Sequence, residues 1–288
     1  MLTRRQRMLL FVPLALLLVP FLLLPALFGF LTSFTNYAPF QPGQLVRFVG
    51  LDNYLSILHD DTFRTAVRNV TVFATASVSA ELIGGFGLAY LLRESFRGRS
   101  IVRFLLLLPW VVSPVATGIM WHFLVNRESG MINYWPALLG LPSLPYLLTF
   151  ELALPTAIVT EIWRKMPFVM FLVLPGLLAV PADQWDQARL EGLPVLGQIR
   201  HVALPRLRLL MLTITLLLLG DALGNFENIM MLTGGGPGSA TTTPGFYSYQ
   251  KAFVAFNWAA GTTSGWFIVA AVLLVGLVYV IMARRGAD

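Results

Sequence analysis

Six long apolar runs, separated by short polar segments, constrain this chain more than any other feature of its sequence. Each run has about the 20 residues that a helix needs to cross a hydrocarbon core of roughly 30 Å. Only 12% of the residues are charged, whereas soluble domains have about 25%. The sequence therefore predicts a single all-α polytopic membrane domain over residues 1–288, with six transmembrane helices at about 8–31, 69–92, 104–125, 152–178, 207–232 and 264–282.

The first run, from Met8 to Leu31, has two interpretations. A secretory signal peptide has an apolar region of about 7–15 residues and a small-residue A-x-A cleavage site. This run is longer, and no such site follows it. We therefore expect a retained membrane anchor.

Two local features inside the runs predict how the helices pack and bend. Gly84, Gly85 and Gly87 lie in the second run, where small residues allow two helices to approach closely. Pro109 and Pro114 lie in the third run and predict kinks. Between the fifth and sixth runs, GGGPGSATTTPG predicts a flexible turn.

The basic residues predict the orientation of the spans. With the N-terminus in the cytoplasm, the cytoplasmic segments hold Arg4, Arg5, Arg7, Arg93, Arg97, Arg99, Arg103, Arg189, Arg200, Arg206, Arg208, Arg284 and Arg285. The outer segments then hold only Arg47, Arg64, Arg68, Arg127 and Lys251. Because basic residues concentrate in cytoplasmic loops, both termini and residues 181–205 are predicted to be cytoplasmic. Topology thus explains the net charge of +6, and we expect no nucleic-acid partner.

The segment from Pro181 to Pro205 has a helix–glycine–helix pattern. Pro181 ends the preceding helix, and Asp183 is the predicted N-cap of a short one. Gly192 ends that helix, and apolar residues at helical spacing then predict a second helix that ends at Pro205. Three side chains are expected to face a partner: Trp185, Ala188 and Leu190. By shape alone, the segment is equally an ordinary amphipathic loop at the membrane surface.

This segment resembles the EAA loop of ATP-binding-cassette importer permeases. The pattern reads Asp186-Gln187-Ala188-Arg189-Leu190-Glu191-Gly192, with Leu204-Pro205 at the family's distance. Four positions depart from the usual residues, namely Asp186, Gln187, Glu191 and Leu193. The resemblance implies a cytoplasmic coupling helix seated in a cleft of an ATPase subunit. The contact residues that it implies are Asp186, Ala188, Glu191, Gly192 and Arg200.

Other stretches resemble carbohydrate-uptake permeases of the maltose-transporter type. They are GLDNY at 50–54, LLLLPWVVSP at 105–114, Trp163 with Pro167 and Phe168, and LTGGGPGSATTT at 232–243. This resemblance covers roughly residues 47–283. It implies the type I importer permease fold in a prokaryotic cytoplasmic membrane. The implied partners are a second homologous permease, two ATPase subunits that bind the ATP, an extracytoplasmic substrate-binding protein and a carbohydrate, with no cofactor in this chain.

Polar residues inside the fifth run predict a solute pathway. Asp221, Asn225 and Asn228 have i, i+4 and i+7 spacing and share one face of a continuous helix, whereas Glu227 points elsewhere. One carboxylate and two amides suit sugar hydroxyls, which need donors and acceptors. A contact with the second permease is the alternative. The resemblance implies solute contacts at Asp221, Ala222 and Asn225.

The fourth run adds charged and aromatic candidates. Glu161 and Lys165 have i, i+4 spacing and are expected to neutralise one another. Trp163 is interpreted as a packing residue rather than a sugar platform. The resemblance implies solute contacts near Arg164, Lys165 and Phe168. Two cations in this position would also suit an anionic solute such as a sugar phosphate.

Missing motifs narrow the function classes. The chain has no cysteine, its three histidines lack metal-ligand spacing, and no Walker, H-E-x-x-H or G-x-S-x-G motif occurs. A membrane enzyme therefore has no support, and no metal site is expected. An ion-coupled secondary transporter that uses Glu81, Glu161 or Asp221 remains the alternative, although six helices are few for one and Glu81 is interpreted as structural.

Overall fold

The computed structural model describes residues 12–13, 16–40, 45–126, 130–140 and 146–284, apart from the side chain of Asn133. These residues form helices and no β-strand, which confirms the all-α prediction; Thr35 and Phe48 form one isolated bridge. The helices are α1 (Leu16–Thr32), α2 (Asp52–His59), α3 (Asp61–Leu91), α4 (Arg99–Val111), α5 (Pro114–Leu124), α6 (Met131–Leu138), α7 (Ala153–Leu178), α8 (Ala182–Leu190), α9 (Val195–Gly224), α10 (Glu227–Leu232), α11 (Pro244–Tyr249) and α12 (Trp258–Arg284).

Three helices of the described part, α3, α9 and α12, are each long and apolar enough to cross a membrane. The number rises to five if each bent pair is one span: α4 with α5, bent by 95°, and α7 with α8, bent by 85°. The apolar helix α1 is shorter. The start of the first predicted span, the three N-terminal arginines, Arg127 and Arg285 lie outside the described residues. The count of six spans stays a prediction.

The third predicted span is broken rather than kinked at its second proline. α4 contains Pro109 and ends before Val112, which is extended at φ −70° and ψ 129°. A new helix then begins at Pro114, because Ser113 caps it: the Ser113 Oγ accepts a hydrogen bond from the Ala116 amide at 3.2 Å. Proline suits the first turn of a helix, where its missing N–H has no partner to lose.

The fifth predicted span differs from expectation at both ends. α9 begins at Val195 and passes through Pro205 without ending there. It does so by a π-helical turn, in which the Leu204 amide donates to the carbonyl of Ile199. This wider turn accommodates the proline ring, which would clash in a regular α-helix. At the other end, Asn225 is extended at φ −63° and ψ 120°, and it separates α9 from α10.

Two glycines bring α3 against α7. A Cβ atom on Gly85 would lie 2.5 Å from the Cβ of Val169 and 2.8 Å from the carbonyl oxygen of Met166. A Cβ atom on Gly84 would lie 2.5 Å from the Met166 sulfur. The close contact predicted for Gly84 and Gly85 is therefore confirmed. Gly87 has no described atom within 4 Å of its Cβ position, so it makes no such contact.

The described residues group into two units. One holds the chain up to Arg64 together with Tyr247–Val269, and the other holds Thr65–Phe246 and the residues from Ala270 onward. In the first unit, the Asp60 carboxylate accepts hydrogen bonds from the Tyr247 hydroxyl at 2.8 Å and from Lys251 at 3.3 Å. Burial acts to raise the pKa of Asp60, but these hydrogen bonds and the lysine charge outweigh it and lower the pKa.

In the second unit, the glycine-rich segment before α11 is held in place rather than left as a flexible turn. The Asn69 side chain donates to the carbonyls of Ser239 and Thr242 at 2.9 and 3.0 Å. The hydroxyls of Thr233 and Thr241 lie 2.7 Å apart across the segment. These hydrogen bonds fix the connection that follows α10.

Candidate functional site

A pocket of about 250 Å³ opens in the second unit where α9 ends and α10 begins. Its wall consists of Pro114, Arg164, Gly220, Asp221, Gly224, Asn225 and Glu227. The break at Asn225 creates this pocket, because it turns α10 and brings Glu227 to the same cavity as Asp221. A continuous helix would have placed these two carboxylates on different faces.

The predicted polar stripe along one helix face is therefore wrong. Asp221 and Asn225 both line the pocket, but Asn228 belongs to α10 and is fully buried. The Asn228 amide donates to the Thr160 hydroxyl of α7 at 3.1 Å, which is a contact between helices. Glu227 takes the place in the pocket that helical spacing predicts for Asn228.

Both cations of α7 are paired with carboxylates. Arg164 Nη2 lies 2.5 Å from Glu161 Oε1 and 3.7 Å from Asp221 Oδ2. Lys165 Nζ lies 2.8 Å from Asp221 Oδ2. The expected pairing of Glu161 with Lys165 is thus wrong: Glu161 binds Arg164 within its own helix, and Lys165 reaches across to α9. The Glu161–Arg164 pair is almost completely buried, whereas the Asp221 side chain is 44% exposed.

A further carboxyl group, Glu81 of α3, extends this charged cluster. Its side chain is buried, and it interacts electrostatically with Glu161, Arg164, Lys165 and Asp221. The Glu81 Oε1 atom has no hydrogen-bond partner within the described part of the chain. The structural role expected for Glu81 stays a prediction.

Asn225 has unused hydrogen-bonding capacity. The residue is only 5% exposed, and its backbone carbonyl accepts a hydrogen bond from the Thr243 hydroxyl at 3.0 Å. Its side-chain Oδ1 is buried without a partner among the described atoms. A buried polar atom without a partner costs about 1–3 kcal/mol, so a ligand hydroxyl that reached this amide would be stabilised.

The other residues predicted to line the pathway occupy different surroundings. Phe168 stacks on Trp110 with ring centroids 5.4 Å apart, and Lys165 Nζ lies 5.9 Å from the Phe168 ring. Ala222 is buried and is not part of the pocket wall. Trp163 packs edge-on against Trp121 at 5.8 Å, in agreement with a packing role.

The structure thus brings together Arg164, Lys165, Asp221 and Asn225, and it adds Glu227 to them. Helical spacing alone places Glu227 away from the pocket, because that spacing applies only to one continuous helix. A signal was present in the chain: Gly220 and Gly224 precede Asn225, and glycine has a low helix propensity.

A second candidate site is the predicted coupling segment, which also lies in the second unit. Pro181 rather than Asp183 occupies the N-cap of α8, and Asp183 lies in the first turn. Gly192 has φ +73°, a conformation that favours glycine, and it ends the short helix as expected. The helix–glycine–helix pattern is confirmed, apart from the continuation of the second helix through Pro205.

The exposed side of this segment differs from the one predicted. Trp185 and Ala188 are buried within the chain itself, so only Leu190 of the three expected partner contacts is exposed, at 89%. Leu196 is exposed as well, at 75%. Four of the five residues implied for the ATPase contact are exposed: Asp186, Glu191, Gly192 and Arg200. Ala188 packs inward.

Arg93 links α8 to the residues that follow α3. Its guanidinium carbon lies 4.0 Å from the Tyr90 ring centroid and 3.8 Å from that of Trp185. Glu94 lies 3.3 Å from Arg93 and accepts a hydrogen bond from Arg189 of α8 at 3.1 Å. Cation–π contacts of this kind contribute about 0.5–2 kcal/mol each, with the larger values at desolvated sites. α8 is thus anchored to the end of α3.

Comparison with known families identifies the chain. Residues 81–285 match the family described as binding-protein-dependent transport system inner membrane components. The chain belongs to this family. It is therefore a membrane-embedded ABC transporter permease, a transport subunit rather than an enzyme.

Two relatives illustrate the similarity of this permease to named transport proteins. It is 32% identical to the probable ABC transporter permease protein y4oQ of Sinorhizobium fredii, over 96% of this chain and 89% of the relative. It is also 32% identical to the trehalose/maltose transport system permease protein MalF of Thermococcus litoralis, over 82% of this chain and 79% of the relative.

The permease fold is also that of a solved structure. The crystal structure of a bacterial ABC transporter involved in the import of the acidic polysaccharide alginate contains a chain that superimposes with a TM-score of 0.83. The match covers 98% of this chain and 96% of the other, at 21% identity. The predicted ABC importer permease fold is confirmed.

The anchoring of α8 gives a first testable prediction for this permease. Arg93→Met keeps the aliphatic stem but removes both cation–π contacts and the ion pair with Glu94. Because the chain has no native cysteine, a spin label on Leu190→Cys reports the motion of α8 alone. We expect the label to become more mobile in the Arg93→Met background.

The control is Arg97→Met, which changes an exposed arginine. Equal mobility in both backgrounds would refute the anchoring role.

Proposed function

We propose that this permease is one of two membrane subunits of an ATP-driven importer for a carbohydrate or related polar solute: a di- or oligosaccharide, a polyol or glycerol phosphate. The observation that carries the proposal is the pocket at the break between α9 and α10, which Asp221 and Arg164 line together with Asn225, whose Oδ1 has no partner among the described atoms. Convergent polar groups of this kind suit hydroxyl-rich solutes. The names of the trehalose/maltose relative and of the alginate importer support the same class.

The size of the pocket supports a shared pathway. About 250 Å³ is smaller than the roughly 300–1,000 Å³ typical of ligand sites. A second homologous permease would supply the opposite wall, so each subunit would hold half of the site. An extracytoplasmic binding protein would deliver the solute. The bacterial alginate ABC transporter has this kind of partner, since it crystallises in complex with an alginate pentasaccharide-bound periplasmic protein.

The exposed side of residues 181–205 supports a contact with an ATPase subunit. Leu190 and Leu196 are large apolar side chains that a partner surface would cover. The arginine distribution favours a cytoplasmic position for this segment and for both termini. In this arrangement two ATPase subunits bind the ATP, and the permease needs no cofactor. The proposed contact residues are the exposed Asp186, Glu191, Gly192 and Arg200, whereas Ala188 is buried within the chain itself.

Asn225→Ala tests the pocket. The substitution removes a donor and an acceptor, so a bound sugar would lose hydrogen bonds in a desolvated site. We expect roughly ten- to a hundredfold weaker apparent affinity for the solute, corresponding to about 1–3 kcal/mol. Trehalose and maltose uptake is measured against concentration in proteoliposomes that contain ATP and have no proton gradient.

The same experiment carries its own controls. Co-purification of the ATPase subunits shows whether the variant still assembles. An ion-coupled transporter would not concentrate solute once the proton gradient is removed, so uptake under these conditions separates the two mechanisms. Unchanged affinity of a correctly assembled Asn225→Ala transporter would contradict the proposed pocket.

A further inference from the structure

The basic side chains beside the pocket form ion pairs with carboxylates of the chain itself. Arg164 is bound by the buried Glu161 carboxylate, and Lys165 is bound by Asp221 at 2.8 Å. A solute anion would have to compete with these carboxylates for the same cations. The two positive charges that the sequence places near the pathway therefore do not form a free anion site.

Glu227 has no such counter-charge. It lies in the pocket wall, half-buried, and no lysine, arginine or histidine of the described residues lies within 4.0 Å of its carboxylate. Together with Asp221 and Asn225, it lines the cavity with side chains that can accept hydrogen bonds. Fully ionised, the group formed by Glu161, Arg164, Lys165, Asp221 and Glu227 has three negative and two positive charges.

We propose that Glu227 selects the charge of the solute: it makes the pocket favour neutral, hydroxyl-rich solutes and disfavour anionic ones such as sugar phosphates or uronic acids. Hydroxyl groups donate to the carboxylate and amide oxygens that line the cavity. A phosphate or carboxylate brings only further negative charge, and repulsion of like charges is strong where little water screens it. This inference rests on the proposed function of the pocket and narrows its solute class.

The test compares a neutral sugar with its phosphate on the assembled transporter. The permease is purified with its partner subunits in nanodiscs, without the binding protein, so that only the membrane pathway discriminates between solutes. Affinities for trehalose and for trehalose 6-phosphate are measured by calorimetry. The proteins are the wild type, Glu227→Gln, Asn225→Ala and, as matched control, Glu151→Gln, which neutralises an exposed carboxylate that is not part of the pocket wall.

We expect the wild type to bind trehalose at least about tenfold more tightly than its phosphate, and Glu227→Gln to reduce that ratio by roughly tenfold, chiefly through tighter phosphate binding. Glu151→Gln should leave the ratio unchanged. An unchanged ratio in Glu227→Gln, or a wild type that prefers the phosphate, would overturn the inference.

Asn225→Ala separates this inference from the proposed function. If the pocket holds the sugar, Asn225→Ala weakens both ligands equally and keeps their ratio. A shifted ratio in Glu227→Gln with no effect of Asn225→Ala would support charge selection and count against the Asn225 contact. A wild type that binds neither ligand would overturn both the pocket and the selection by Glu227.

Discussion

Arg164→Met should destabilise the permease by about 3–5 kcal/mol, because it leaves a buried carboxylate without its counter-charge. The Glu161 side chain is only 3% exposed, and Arg164 is its partner at 2.5 Å. Burial keeps bulk water from this carboxylate, and no other described cation within 4.0 Å is in a position to compensate it after the substitution. We expect the variant to be recovered mainly as unfolded or unassembled protein.

A matched variant shows whether stability is lost because the unpaired carboxylate is buried or simply because a positive charge is removed. Lys165→Met also removes one cation from the cluster, but its partner Asp221 is 44% exposed and remains hydrated. Fully exposed ion pairs contribute only about 0–1 kcal/mol, and this pair, with Lys165 12% exposed, lies between them and the buried pair. The variant should therefore lose less stability than Arg164→Met and remain folded. Stability is measured by thermal unfolding in detergent with size-exclusion chromatography.

The double variant Glu161→Gln with Arg164→Met provides the second control. It removes both buried charges, and exchanging a buried ion pair for neutral groups is often close to neutral in free energy. We therefore expect it to recover most of the lost stability. The explanation fails if Arg164→Met is as stable as Lys165→Met, or if the double variant is as unstable as Arg164→Met alone.

Glu191→Lys combined with Gly192→Pro should abolish coupling while the chain remains in the membrane. Gly192 has φ +73°, whereas proline requires φ near about −65°. Its amide also donates to the Arg189 carbonyl at 3.0 Å, and proline has no amide hydrogen. The turn that ends α8 would therefore be lost, and the exposed Glu191 would present the opposite charge to the ATPase subunit.

Substitutions at the same glycine sharpen this test. Gly192→Asn should retain transport, because asparagine tolerates the left-handed conformation far better than other residues. For the double variant we expect uptake to fall more than about tenfold and the ATPase subunits to be lost on purification, since a left-handed turn excludes proline altogether. Normal co-purification and normal uptake of the double variant would show that residues 181–205 do not couple the two subunits.

Local signals in the sequence were sufficient for the membrane fold and for the helix–glycine–helix shape of residues 181–205. Apolar runs of about 20 residues indicate spanning helices wherever they occur, since the bilayer requires satisfied backbone hydrogen bonds. Gly192 marks a helix end through its own backbone freedom, and it has the expected positive φ. Gly84 and Gly85 indicate a close helix contact because they lack side chains. Each of these features depends on a few neighbouring residues.

The candidate site depended on contacts between helices that spacing along one helix does not determine. Glu161 and Lys165 have favourable spacing, yet Lys165 pairs with Asp221 of another helix. Lys165 pairs with whichever carboxylate, Glu161 or Asp221, lies within about 4 Å of its ammonium group. The reason is that the energy of an ion pair falls steeply with distance and with hydration. That distance exists only after α7 and α9 have packed together.

The direction of Glu227 was decided by the backbone at the break between α9 and α10. Helical periodicity assigns side chains to faces only while the helix continues, and Asn225 interrupts it at ψ 120°. Asn225 and then Phe226, at φ −137°, redirect every side chain that follows, so Glu227 enters the pocket and Asn228 leaves it. The sequence by itself determined that polar groups interrupt the fifth apolar run. Only the tertiary structure decided which of them share a cavity, because packing against α7 and the hydrogen bond from Thr243 hold the break at Asn225.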